Sequence, residues 1–128
     1  MTSKNKHHIF TTLLANPHLL KVDGGWAVFT VKLVKGLKSG KDSCWGTCDF
    51  DTYEIRLDDK MADAPARETL LHEICHILLE FCGLGGNDIE ESESIKTSNE
   101  NLTITMSRAM IMFARLNPEL AKELLCLN

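Results

Sequence analysis

The chain has 128 residues, 44% of them hydrophobic and 25% charged, with a net charge of −4. That suits one globular domain over residues 1–128, with a core large enough that no structural metal is needed to hold it. The acidic balance argues against a nucleic-acid partner: Lys32, Lys35, Lys38 and Lys41 come nearest to a basic stripe, and Asp42 closes that run.

No stretch approaches the ~20 apolar residues of a membrane span. Residues 1–6 are polar, and the apolar stretch after them is short and broken at Asn16-Pro17, so no secretory signal is expected. Cysteines stand at positions 44, 48, 75, 82 and 126. An odd number without a signal predicts free thiols in a reducing, cytoplasmic setting.

Ile9, Phe10, Leu13 and Leu14 follow helical spacing up to Asn16-Pro17, which predicts a short first helix. Gly24-Gly25 marks a turn. Residues 26–37 alternate, with Ala27, Phe29, Val31 and Leu33 on one side and Trp26, Val28, Thr30 and Val34 on the other. Both sides are largely apolar, which predicts a central strand. Residues 36–43 read as a polar turn, 45–50 as a second strand and Asp51-Thr52 as a tight turn. In residues 53–57, Tyr53, Ile55 and Leu57 point one way, Glu54 and Arg56 the other, as in a third strand.

A polar loop follows over 58–63. Asp63 or Ala64 then serves as a helix cap, with Pro65 in the first turn, where its missing N–H costs nothing. Leu70, Leu71, Ile74, Ile77, Leu78 and Phe81 give this helix a wide apolar face, and Gly83 suits its end. Residues 85–99 are polar and acidic and read as a loop. A further helix is expected from Glu100. Leu102, Met106, Ala109, Met110 and Phe113 form one stripe, and Ile104, Ile111 and Ala114 fill the other side, which predicts burial. Asn117-Pro118 stops it, and residues 119–127 form a short last helix.

The chemistry lies in His72-Glu73-Ile74-Cys75-His76, an HExxH motif inside the strongest helix. Histidines four apart on a helix stand on one face, where two ring nitrogens can take two corners of a zinc tetrahedron. Glu73 lies about 100° further round, within reach of a water on the metal. Zinc lowers the pKa of that water and Glu73 takes its proton. With 5 histidines in the chain, chance alone places HExxH somewhere in about one shuffled sequence in a hundred. The bland alternative is a surface helix with two half-exposed histidines.

Catalytic zinc usually takes three protein ligands. In the metzincin pattern Gly and His follow the second histidine by three and six residues, but Leu79 and Cys82 stand there. Cys82 is rotated about 240° from His76 and suits the core better. Glu100, leading into an apolar helix, is the favoured third ligand, with Glu91 and Glu93 as alternatives. Its ordinary role would be a first-turn glutamate favoured by the helix dipole. Cys44 and Cys48 lack a second pair and read as free thiols; Cys75 reads as buried. His7, His8 and His18 lack ligand spacing and read as surface residues. Tyr53, the only tyrosine, could donate to an oxyanion, but packing is the favoured role.

The run Thr69-Leu70-Leu71-His72-Glu73-Ile74-Cys75-His76-Ile77-Leu78-Leu79, with a strand before it and an apolar helix ending in Asn117-Pro118 after it, resembles the small zincin-like proteins of bacteria and their phages. These are grouped with the ImmA/IrrE and SprT-like metallopeptidases. The resemblance covers roughly residues 45–118, and HExxH is its one specific motif. The ImmA/IrrE third-ligand segment, a Glu followed closely by Ala-Asn and an aromatic, is absent.

The resemblance implies an α+β minimal zincin fold, with a small, mostly antiparallel sheet packed on the HExxH helix and a second buried helix. It implies Zn2+ held by His72, His76 and Glu100, with Glu73 as general base in a peptidase acting on a protein or peptide substrate. Zincin-like folds bind extended peptide along a sheet edge, and residues 53–57 are the expected edge. The rival is a zincin-fold binding module that keeps zinc and turns nothing over. An intact Glu73 favours the enzyme. A DNA-associated protease finds little support at this net charge.

Overall fold

The computed structural model describes residues 7–81 and 95–125, with backbone alone over 95–103. In chain order these form α1 (Ile9–Ala15), a 3-10 turn (Pro17–Leu20), β1 (Lys21–Asp23), β2 (Val28–Val34), β3 (Lys38–Ser39), β4 (Asp42–Ser43), β5 (Gly46–Asp49), β6 (Glu54–Asp58), α2 (Asp63–Phe81), α3 (Ile95–Leu116) and α4 (Pro118–Leu124). The architecture is α+β with a small, mostly antiparallel sheet. Among the described residues no helix is long and apolar enough to cross a membrane.

The four-stranded sheet runs β1-β2-β6-β5. β1 pairs antiparallel with β2, β2 parallel with β6, and β6 antiparallel with β5. β2 is internal, as its apolar alternation predicts. β6 is internal too, which corrects the expectation that residues 53–57 form an edge. Its polar alternation marks a solvated face: Glu54 binds Lys32 of β2 and Arg56 of its own strand, each at 2.6 Å. The edge beside the motif helix is β5. The expected turn over residues 36–43 holds a small second ladder, β3 with β4.

The inner face of the sheet supplies Phe29, Val31, Ile55 and Leu57 to the core, and α2 supplies Leu70, Ile74, Ile77 and Leu78. Burying each of these side chains favours the fold by roughly 1.5–3 kcal/mol. α2 therefore has one rotational setting, with its apolar stripe down on β5 and β6. α1 and α3 pack against α2. Phe113 and Ala109 of α3 are buried, but Ile104 and Ile111 are 40% and 55% exposed. α3 is thus buried along one stripe, not all round as its composition predicts. It also begins ahead of Glu100, at Ile95, because polar Lys96 to Asn99 are compatible with helix.

Two polar devices fix the packing. Asp63 opens α2 but caps α1: its Oδ1 accepts the Ile9 amide at 2.7 Å, and its carboxylate accepts from Arg67 Nε at 3.0 Å. His8, expected as a surface residue, is the N-cap of α1. Its Nδ1 accepts from Phe10 N and its Nε2 donates to the Met61 carbonyl at 2.8 Å. At the α3–α4 corner, buried Asn117 accepts from Asp23 N at 2.7 Å and donates to Asp23 O at 3.0 Å. A side-chain amide here pairs with β1 as a neighbouring strand would.

Candidate metal centre

With Leu70, Ile74 and Ile77 turned into the core, His72 and His76 stand on the outer side of α2. Their Nε2 atoms are 3.1 Å apart, and their ring planes lie at 83°. Two Zn–N bonds of about 2.0–2.1 Å at a tetrahedral angle set the nitrogens about 3.3–3.4 Å apart. The two imidazoles therefore converge as two ligands of one zinc ion would require.

Glu73, between them in sequence, turns inward and is buried. Burial pushes its carboxyl above the ordinary glutamate range, while His72 and His76 pull it down. A cleft of about 430 Å³ opens beside it, lined by Trp45, Gly46, Pro65, Glu68, Thr69, His72 and Glu73. Gly46 makes this approach possible. A Cβ there would stand 2.7 Å from Thr69 Cγ2, 3.2 Å from Leu57 Cδ2 and 3.3 Å from Glu73 Oε2. Gly46 opens β5, and only the packing of α2 against it shows why a glycine stands there.

β5 also presents backbone to the site. Asp58 N donates to Trp45 O at 2.8 Å, so 45 and 58 form a hydrogen-bonded pair of the antiparallel ladder. In such a ladder hydrogen-bonded and non-bonded pairs alternate. Gly46 opposite Leu57 and Cys48 opposite Ile55 are then non-bonded pairs. Their N–H and C=O groups point away from β6, along the open edge. Cys48 is half-buried beneath that edge. Burial, then the charges of Glu73 and Asp49, push its thiol up to about 12. Cys48 is thus a neutral neighbour of the site, a relation that C-x3-C spacing does not reveal.

Glu100 lies on α3, which packs on α2, but its side chain is outside the described residues. Glu91, Glu93, Cys82 and Gly83 lie outside them altogether. Among the described residues no group of three His, Cys, Asp or Glu side chains is placed to hold a metal. Cys44, Cys48 and Cys75 are free and half-buried. Tyr53 packs its ring on Trp26 and Phe29, with centroids 5.7 and 5.4 Å away, which fits the packing role. Compared with family models, curated proteins and solved structures, the chain matches none.

Proposed function

We propose that this chain is a zinc-dependent metallopeptidase acting on a protein or peptide substrate. The observation that carries the reading is the convergence of His72 and His76 Nε2 at 3.1 Å, with His72 and Glu73 lining one cleft. His72 and His76 would hold the ion, with Glu100 as the third ligand. Zinc so held supplies Lewis acidity, lowering the pKa of a water and polarising the scissile carbonyl.

Glu73 is the general base. Burial raises the proton affinity of its carboxylate, which strengthens it as a base. It takes the proton of the attacking water and returns it to the leaving amine as the C–N bond breaks. The substrate backbone docks antiparallel on β5, hydrogen-bonding the outward groups of Gly46 and Cys48. Main-chain pairing of this kind holds a strand without demanding one sequence.

Glu73→Gln tests the reading. The variant keeps the side chain's size and loses the base, so it should fold, retain about one zinc per chain and lose turnover by ~10²–10⁴-fold. His72→Ala should lose tight zinc binding. Full biological activity in Glu73→Gln, with zinc still bound, would replace the enzyme by a zinc-containing binding module. Wild-type protein that takes up no zinc on dialysis would remove the metal centre.

A further inference from the structure

We infer that the cleft beside His72 selects a substrate residue with a long cationic side chain, arginine or lysine, held between the ring of Trp45 and the carboxylate of Glu68. The inference rests on the peptidase reading and names the residue class that the site recognises.

Apart from His72 and Glu73, the cleft's lining contains one charged side chain, that of Glu68. Trp45 is 57% exposed, so a large aromatic surface stays in water at the cleft's wall. Pro65 and Thr69 add apolar surface. An exposed aromatic ring and a carboxylate lining one cleft suit an arginine or lysine, whose aliphatic stem and cation can lie on the indole while the head reaches the carboxylate. A neutral or acidic side chain gains only part of this.

The neighbouring charges leave Glu68 free for that role. Among the described residues it has no ion pair. Arg67, next to it in sequence, turns its guanidinium to Asp63 and to the carbonyl of Leu124. Lys60 lines a separate hollow with Asp58, Ser43, Cys44 and Trp45. Glu68 precedes His72 by four residues, so it stands one helical turn away, on the same side of α2. A cation held there does not compete with a metal ion for the histidine pair.

The backbone direction agrees. A peptide paired with the outward groups of Gly46 sends alternate side chains toward α2. The cleft lined by both Gly46 and Glu68 lies where such a side chain enters.

The test uses short alanine-rich peptides that carry arginine, its neutral isostere citrulline, or glutamate at one position, moved along the peptide. They are titrated onto zinc-loaded protein, and binding is read from Trp45 fluorescence in a Trp26→Phe background. At one position the arginine peptide should bind about 10-fold tighter than the citrulline peptide, an exposed cation–π contact and ion pair together. Glu68→Gln should cut that ratio to the roughly 2–5-fold that the Trp45 ring alone supplies, without changing zinc content, and Glu68→Lys should favour the glutamate peptide. Equal binding of arginine and citrulline peptides at every position, or a preference as large in Glu68→Gln as in the wild type, would overturn the inference. Cleavage without discrimination would leave the peptidase reading standing and remove the selectivity. Discrimination without any cleavage would keep the recognition and remove the peptidase.

Discussion

The two edges of the sheet are treated in opposite ways. At β1, Asn117 reaches across from the α3–α4 corner and takes both the N–H and the C=O of Asp23. At β5, no described strand follows, and the groups of Gly46 and Cys48 face outward beside the cleft. An open edge is a hazard, since it can pair with any extended chain. Among the described residues, the edge far from His72 and His76 is covered and the one beside them is not. The contrast suggests that the β5 edge is kept open for use.

Disturbing the open edge should have the largest effect. Gly46→Ala puts a methyl group 2.7 Å from Thr69 Cγ2 and 3.3 Å from Glu73 Oε2, so the Thr69 side chain or the spacing of β5 and α2 must give. A displacement of about 1 Å at reacting groups costs about 10²-fold in rate, and that is the fall in kcat expected here. Thr69→Ser removes the opposing methyl and should restore part of the loss. Steady-state kinetics on the single and double variants, alongside zinc content, measure both effects.

Opening the closed edge should cost stability and spare the metal. Asn117→Ala leaves the Asp23 amide and carbonyl unpaired in a half-buried setting, at a cost of about 2 kcal/mol. Urea unfolding should show the loss, hydrogen exchange at Asp23 should quicken, and zinc affinity should stay the same. Unchanged exchange at Asp23 would mean that the amide does not close this edge.

A change remote from both edges should have the smallest effect. Burial alone would raise the Asp63 carboxyl, but the Ile9 amide and Arg67 outweigh it and hold it below the usual range. A carboxylate depressed in the folded state stabilises above its unfolded pKa, near 3.9, and loses that contribution as pH falls through the folded value. Asp63→Asn should cost well under about 1 kcal/mol at pH 7, because the carboxylate is 41% exposed and solvent screens its pairing with Arg67, with the difference from wild type shrinking below about pH 4. Thermal unfolding of both proteins across that range checks it.

The legible parts of the molecule were those with a strong period or a strong breaker. α1 ends at Asn16-Pro17, β2 alternates, and α2 carries its apolar stripe where the spacing of Leu70, Ile74 and Ile77 requires. The pairing of His72 with His76 follows from helical geometry alone. What escaped depends on neighbours distant in the chain. Glu54 and Arg56 show that one face of β6 is wet, but wetness does not say whether a strand lies on either side. Ile104 and Ile111 are apolar, yet composition cannot say how many surfaces are available to cover α3. Asn117 reads as a helix stop, and its second task is set by Asp23, 94 residues away. Gly46 reads as a weak strand residue until α2 is laid against it.

That long reach from Asn117 to Asp23 has a consequence for the order in which the protein is made. All four strands of the main sheet have been synthesised once Asp58 is added, but the residue that covers β1 comes 59 positions later. At about 5–20 residues per second, the nascent sheet spends some seconds with both edges bare. In that interval it is most exposed to pairing with another nascent chain, and a pause in translation between α2 and α4 would lengthen the exposure.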